Sequence, residues 1–216
     1  MNRKRSLVRR TAVVAASGVA AVALAACGGS DDTGSAGHGG HQATDSASAV
    51  ASAPASQGQH NAADVAFAKG MIPHHRQAVE MADLAPGRAR SAEVKKLAAE
   101  IRKAQAPEIE KLSGWLTSWG GTVPAEDAMD HSMHGSMEGM GGMMSAEDMT
   151  ALGNASGKAF DTAFMEMMIK HHEGAVEMAR TEQSDGVHAQ ARKMAADIIA
   201  SQSAEIEQMK KLLGRR

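Results

Sequence analysis

The sequence predicts an all-α protein, an antiparallel four-helix bundle assembled from two duplicated helical hairpins. Three observations carry that expectation. The 216 residues are 43% apolar and 22% charged but only 2% aromatic, with three Phe, two Trp and no Tyr, whereas sandwiches and barrels draw on aromatic and β-branched side chains. Residues 64–116 align without a gap to residues 161–213, with 22 identities over 53 positions, which marks an internal duplication. Within the first copy, Val94, Leu97, Ile101, Ile109, Leu112 and Leu116 recur at helical spacing with Lys and Glu opposite. One hairpin cannot bury such a stripe alone. Two can, and ~106 residues are enough for a single bundle core.

The elements follow in chain order. Residues 1–10 hold five basic residues and no acid, and an apolar run extends from Thr11 to Ala26, the length of a signal-peptide core and short of the ~20 residues that span a bilayer. Leu24-Ala25-Ala26-Cys27 closes it, and Cys27 is the only cysteine. That arrangement resembles a bacterial lipobox, in which Cys27 is lipidated and becomes the mature N-terminus. Residues 1–26 are therefore expected to be a lipoprotein signal peptide, with twin-arginine and general export both open. The protein is expected to be exported and lipid-anchored to the outer face of the cell membrane. Losing those five basic residues takes the formal charge from −2 to −7, which gives no reason to expect nucleic acid as a partner. A lone Cys excludes an internal disulfide and a thiolate cluster. Residues 27–61 are small and polar and read as a flexible tether.

The first hairpin is expected at 62–119, with helices at about 62–84 and 91–118 broken at Pro86-Gly87, and with Pro107 kinking or restarting the second. The second hairpin, 155–214, repeats the pattern at about 156–182 and 187–213, broken at Ser184-Asp185-Gly186. Between them, residues 120–154 read as a Met/His-rich flexible linker.

At about 100° per residue, Asp64, Phe67, Met71, His74, Ala78 and Met81 share one face, with His75 at its edge. Asp161, Phe164, Met168, His171, Ala175 and Met178 do the same in the second copy. A methionine at helical spacing is ordinarily core filler, and a histidine on an apolar face is ordinarily a hydrogen-bonded core residue. Here His-His with Met at −3 and +7 occurs twice in one register. The expected metal ligands are Met71, His74, His75, Met81, Met168, His171, His172 and Met178, with His75 and His172 alternatively supporting or surface residues. Thioether with imidazole suits Cu(I) or Ag(I) better than Mg or Ca.

A secondary set lies in the linker: Met129, His131, Met133, His134, Met137, Met140, Met143 and Met144, followed by Met149. The interspersed Gly and Ser deny this stretch a stable helix or strand, so these thioethers are expected to be exposed and available to soft metal. Compositional drift in a linker is the plain alternative.

The segments GMIPHHRQAVEMA and MMIKHHEGAVEMA resemble domain-of-unknown-function family 305, over about residues 64–213. The resemblance implies a ferritin-like helical fold, an exported protein and copper handling, and it points to the same eight Met and His residues. It does not imply a di-iron centre, because no Glu-x-x-His pair occurs. The zinc-protease pattern fails at Gly174-Ala175-Val176. The expectation is a non-enzymatic envelope lipoprotein that binds copper, Cu(I) foremost, for sequestration or for delivery to a protein partner. Two rivals stand beside it: a structural or interaction lipoprotein without metal, and a redox metalloenzyme. Oligomeric state is not readable.

Overall fold

The computed structural model describes residues 58–125 and 141–214. Among them are five helices and no strand: α1 Ala62–Arg88, α2 Ala92–Ser118, α3 Ala146–Asn154, α4 Gly157–Asp185 and α5 Ala189–Leu212. The expected signal peptide, Cys27, nearly all of the expected tether and residues 126–140 lie outside the described residues. None of these helices is long and apolar enough to cross a membrane.

Local sequence sets the helix starts. The Asn61 side chain accepts from the Ala63 and Asp64 amides while the Asp64 carboxylate accepts from the Asn61 amide, a reciprocal cap worth about 1 kcal/mol. Ser91 caps α2 and the His188 ring caps α5 through Nδ1. The prolines act more weakly than expected. Helix α1 contains Pro73 and runs through Pro86 to Arg88, and α2 is continuous through Pro107. Each proline removes one backbone donor, while the buried Ile101 and Leu112 on either side of Pro107 hold those turns in place.

Helices α1 and α2 form one hairpin and α4 and α5 the other, joined through α1 against α4. The core falls into two apolar halves. One gathers Ala78, Met81 and Ala82 of α1 with Phe160, Phe164 and Met168 of α4. The other gathers Phe67 and Met71 of α1 with Ala175 and Ala179 of α4, Leu112 and Leu116 of α2, and Ile198 of α5. The start of α1 thus meets the end of α4, so the bundle is antiparallel, as predicted.

Residues 97 apart perform the same task at opposite ends. Asp161 accepts from the Arg90 and Ser91 amides at the turn of the first hairpin, and Asp64 accepts from the Val187 and His188 amides at the turn of the second. Each buried carboxylate therefore pins the other hairpin's turn.

The linker departs from expectation. Ser145 and Asp148 form a second reciprocal cap, which nucleates α3 inside the stretch read as flexible. Met144 is buried in the core and Met149 packs against it. These two thioethers are core residues, because the chain folds back onto the bundle before α3 begins.

A candidate metal centre between the helices

Between the two apolar halves lies a polar layer. His74, His75, His171 and His172 are all buried, together with Gln105 and Gln202. The rings of His74 and His171 lie 3.7 Å apart, centre to centre, at 42°, so the two copies' imidazoles meet across the α1–α4 contact. His171 and His172 are 6.3 Å apart.

The outer pair is held from the second helix of each hairpin. His75 Nε2 donates to Glu108 at 2.8 Å and His172 Nε2 donates to Glu205 at 2.7 Å. A carboxylate can only accept here, so Nε2 carries a proton and Nδ1 is the nitrogen turned away from the glutamate. His75 is accordingly a buried, oriented residue and not one at the helix edge. His74 Nε2 lies 3.3 Å from the Gly141 carbonyl, which fixes the same tautomer. Nδ1 of all four histidines, and Nε2 of His171 as well, are buried with no hydrogen-bond partner among the described residues.

Electrostatics keeps the inner pair uncharged. Burial, reinforced by the neighbouring His75 and His172, lowers the pKa of His74 to about 3 against the weaker opposing pull of the Gly141 carbonyl. Burial foremost, then the other three histidines, lowers His171 well below its ordinary value. Both rings therefore present lone pairs near neutrality, and no proton has to leave before a metal binds.

The methionines divide between the halves. Met81 and Met168 are buried on one side of the histidine layer, and Met71 is buried on the other with Met178 half-buried against it. Of the linker set, Met143 is half-buried and Met144 wholly buried. Met129, His131, Met133, His134, Met137 and Met140 lie outside the described residues.

Sequence reasoning missed Glu108, Glu205, Gln105 and Gln202. All four are identical at an offset of 97, and their spacing of three residues puts each Gln–Glu pair on one helix face, so the signal was present in the repeat. Two carboxylates thus border the layer, each committed to an imidazole.

The donor chemistry fits a soft monovalent ion. Among the described residues, no three His, Cys, Asp or Glu side chains are disposed to hold an ion by themselves. The available set is paired neutral imidazoles with thioethers on either side, the ligands that select Cu(I) over hard or tetrahedral oxygen- and nitrogen-bound ions. A metal-binding imidazole usually donates its other N–H to a carboxylate or a carbonyl, the arrangement of His75 and His172 with their glutamates and of His74 with Gly141.

The family described as Domain of unknown function (DUF305) matches residues 64–213. The chain belongs to this family. DUF305 structures similar to it include one from Streptomyces coelicolor, at 33% identity and a TM-score of 0.63, covering 70% of this chain and 92% of that one. CopM in its Cu(II)-bound form is similar at 38% identity and a TM-score of 0.59, covering 69% of this chain and 94% of that one. CopM in its Cu(I)-bound form is similar at 37% identity and a TM-score of 0.56, over the same shares, and silver-bound forms match too. Curated proteins give no significant match.

Proposed function

We propose that this DUF305 protein is a copper-binding lipoprotein of the cell envelope that sequesters or hands on Cu(I), and that it accepts Ag(I) in the same site. One observation carries the reading: four buried imidazoles form a layer in which, among the described residues, Nδ1 of every ring lacks a partner. Buried polar atoms are ordinarily satisfied, and leaving one unsatisfied costs roughly 1–3 kcal/mol. A ligand that accepts those lone pairs accounts for the layer. His74 and His171 are the primary nitrogen ligands. Met71, Met81, Met168 and Met178 supply thioethers, and His75 and His172 stand ready behind the inner pair in the orientation their glutamates impose. CopM, a relative in sequence and fold, is known in copper- and silver-bound forms.

The Met/His stretch 129–140, with Met143, serves the same function as a second supply of thioether and imidazole ligands for soft metal. The lipobox-like Leu24-Ala25-Ala26-Cys27 supports a lipid anchor at the outer face of the membrane. Binding, and not turnover, is the task.

Titration of the mature chain with Cu(I) against a chromophoric chelator tests this. The chain should compete for copper, the paired substitution His74→Ala and His171→Ala should remove the tight site, and serine in place of the Met and His of 129–140 should lower the stoichiometry only. If the chelator keeps all the copper at micromolar concentrations, the interaction-lipoprotein reading replaces this one.

A further inference from the structure

The two hairpins share their buried histidines, glutamines and glutamates at this layer but differ at a pair of equivalent buried positions one turn further on. Gln77 in the first copy corresponds to Gly174 in the second. Both are used by the same piece of chain, Gly141–Met144, which crosses the bundle on its way to α3.

Gln77 grips that piece from both sides. Its amide nitrogen donates to the Met144 carbonyl at 2.9 Å and its amide oxygen accepts from the Met144 amide at 2.8 Å. This is the pairing of a β-ladder supplied by one buried side chain. Gly174 makes room. A Cβ there would overlap the Gly141 carbonyl oxygen and come within 3.0 Å of the Gly142 Cα. Glycine inside a helix costs roughly 1 kcal/mol relative to alanine, and the close approach of Gly141 explains its place at the middle of α4. Gly142 adopts φ +87, and a Cβ on it would lie 2.5 Å from the Lys170 carbonyl oxygen and 3.0 Å from that of His171. The strap is therefore laid across α4 at His171 while its Gly141 carbonyl accepts from His74 Nε2.

We infer that Gly141–Met144 is a cover over the histidine layer, positioned by Gln77 and Gly174, and that a soft monovalent metal ion reaches His74 and His171 by way of its displacement. This rests on the reading of that layer as a metal site. Three features favour a cover over a plain packing contact. It bonds to the ring of His74 and lies against the backbone of His171, and it is held at one end by Gln77 and the buried Met144 side chain. Neither hairpin of the bundle needs it for its own turn. By holding Nε2–H of His74, it also leaves Nδ1 as the nitrogen offered to the ion. Gln77, Gly142 and Gly174 are thus positioning residues and do not themselves bind metal.

Two measurements on the full mature chain test this. Without metal, diethyl pyrocarbonate acylates accessible neutral imidazoles, and peptide mass spectrometry reads each site. In the wild type, exposed His60 should label fast and the four layer histidines slowly. Gln77→Ala and Gly174→Ala should each raise labelling of His74 and His171 by about tenfold or more, the signature of easier local opening, while glutamate-bound His75 and His172 stay slow. Gly174→Ala also improves helix propensity, so it should retain the wild-type circular dichroism. With Ag(I) as probe, stopped-flow uptake should quicken in both variants by a similar factor, with release quickened as well. Unchanged labelling in a folded variant overturns the inference, as does faster labelling without faster silver uptake. If the variants label as expected but the wild type takes up no Ag(I) or Cu(I), the cover stands and the copper reading falls.

Discussion

Among the described residues His171 is buried with neither ring nitrogen within hydrogen-bonding distance of a partner, the His74 backbone exerting only a minor pull, so the protein carries a polar group that a ligand would satisfy. Replacing it by leucine, similar in bulk and wholly apolar, should stabilise the metal-free protein. Each unsatisfied buried nitrogen costs about 1–3 kcal/mol. Repacking around a new shape returns up to ~1.5 kcal/mol of that, and His74, 3.7 Å away, loses a ring neighbour but no hydrogen bond. The net gain should be about 2 kcal/mol, or a rise of ~4–8 °C in Tm for a domain of this size. Copper reverses the order. At a free Cu(I) concentration a hundred times its Kd, the wild type gains about 2.7 kcal/mol by mass action, while His171→Leu gains little. Denaturation at pH 7 with a strong copper chelator, then with buffered Cu(I), should show the two curves exchange places. A metal-free variant less stable than the wild type would refute the reasoning, because the imidazole would then be supporting the fold. Equal stabilisation of both proteins by copper would refute the ligand assignment.

Other outcomes follow from the same geometry. His74 titrates near pH 3 when folded and near 6.5 when unfolded, so below pH 6.5 the unfolded chain binds the extra proton. Stability of the metal-free protein should fall as pH drops from 6.5 toward 4, by about 1.4 kcal/mol per pH unit for this histidine, with His171 adding in the same direction; urea midpoints across that range measure it, and a flat profile contradicts it. Glu108→Gln and Glu205→Gln leave the imidazoles in place but weaken their orientation, and each should reduce Cu(I) affinity by about 10–100-fold in chelator competition. Glu182 has its pKa raised to about 8 by burial and by hydrogen bonding to Asp64. Its folded form holds a proton that the unfolded form releases above about pH 4.5, so it erodes stability as pH rises toward 8. Glu182→Ala, matching Ala85 in the first copy, should flatten that decline and add about 1–3 kcal/mol near pH 8.

The bundle was legible because it rests on periodicity and duplication, which are written along the chain. The meeting of the inner histidines was legible for the same reason, since Met71, His74 and Ala78 and their equivalents share one helix face. The outer histidines were misjudged. A helical wheel of one helix puts His75 at the edge, and only the packing of α2 against α1 shows that the edge is covered and that Glu108 lies opposite. Met144 illustrates the other blind spot. Its neighbours are Gly, Met and Ser, so local composition reads as open linker, yet a glutamine 67 residues earlier fixes its backbone. Helix α3 is foreshadowed by the spacing of Ser145 and Asp148, a capping pattern set among Gly and Met that otherwise read as linker. Contacts between distant segments, and not propensities, decided each of these points.

The central claim is that imidazole nitrogen from both hairpins and thioether sulfur bind one copper ion inside the bundle. Copper K-edge X-ray absorption on the mature chain with one equivalent of Cu(I), its 129–140 Met and His replaced by serine, tests it most directly. A first shell containing both nitrogen and sulfur, lost in the His74→Ala and His171→Ala double variant, is the predicted result. A shell of sulfur alone, or one indifferent to those two histidines, would contradict it.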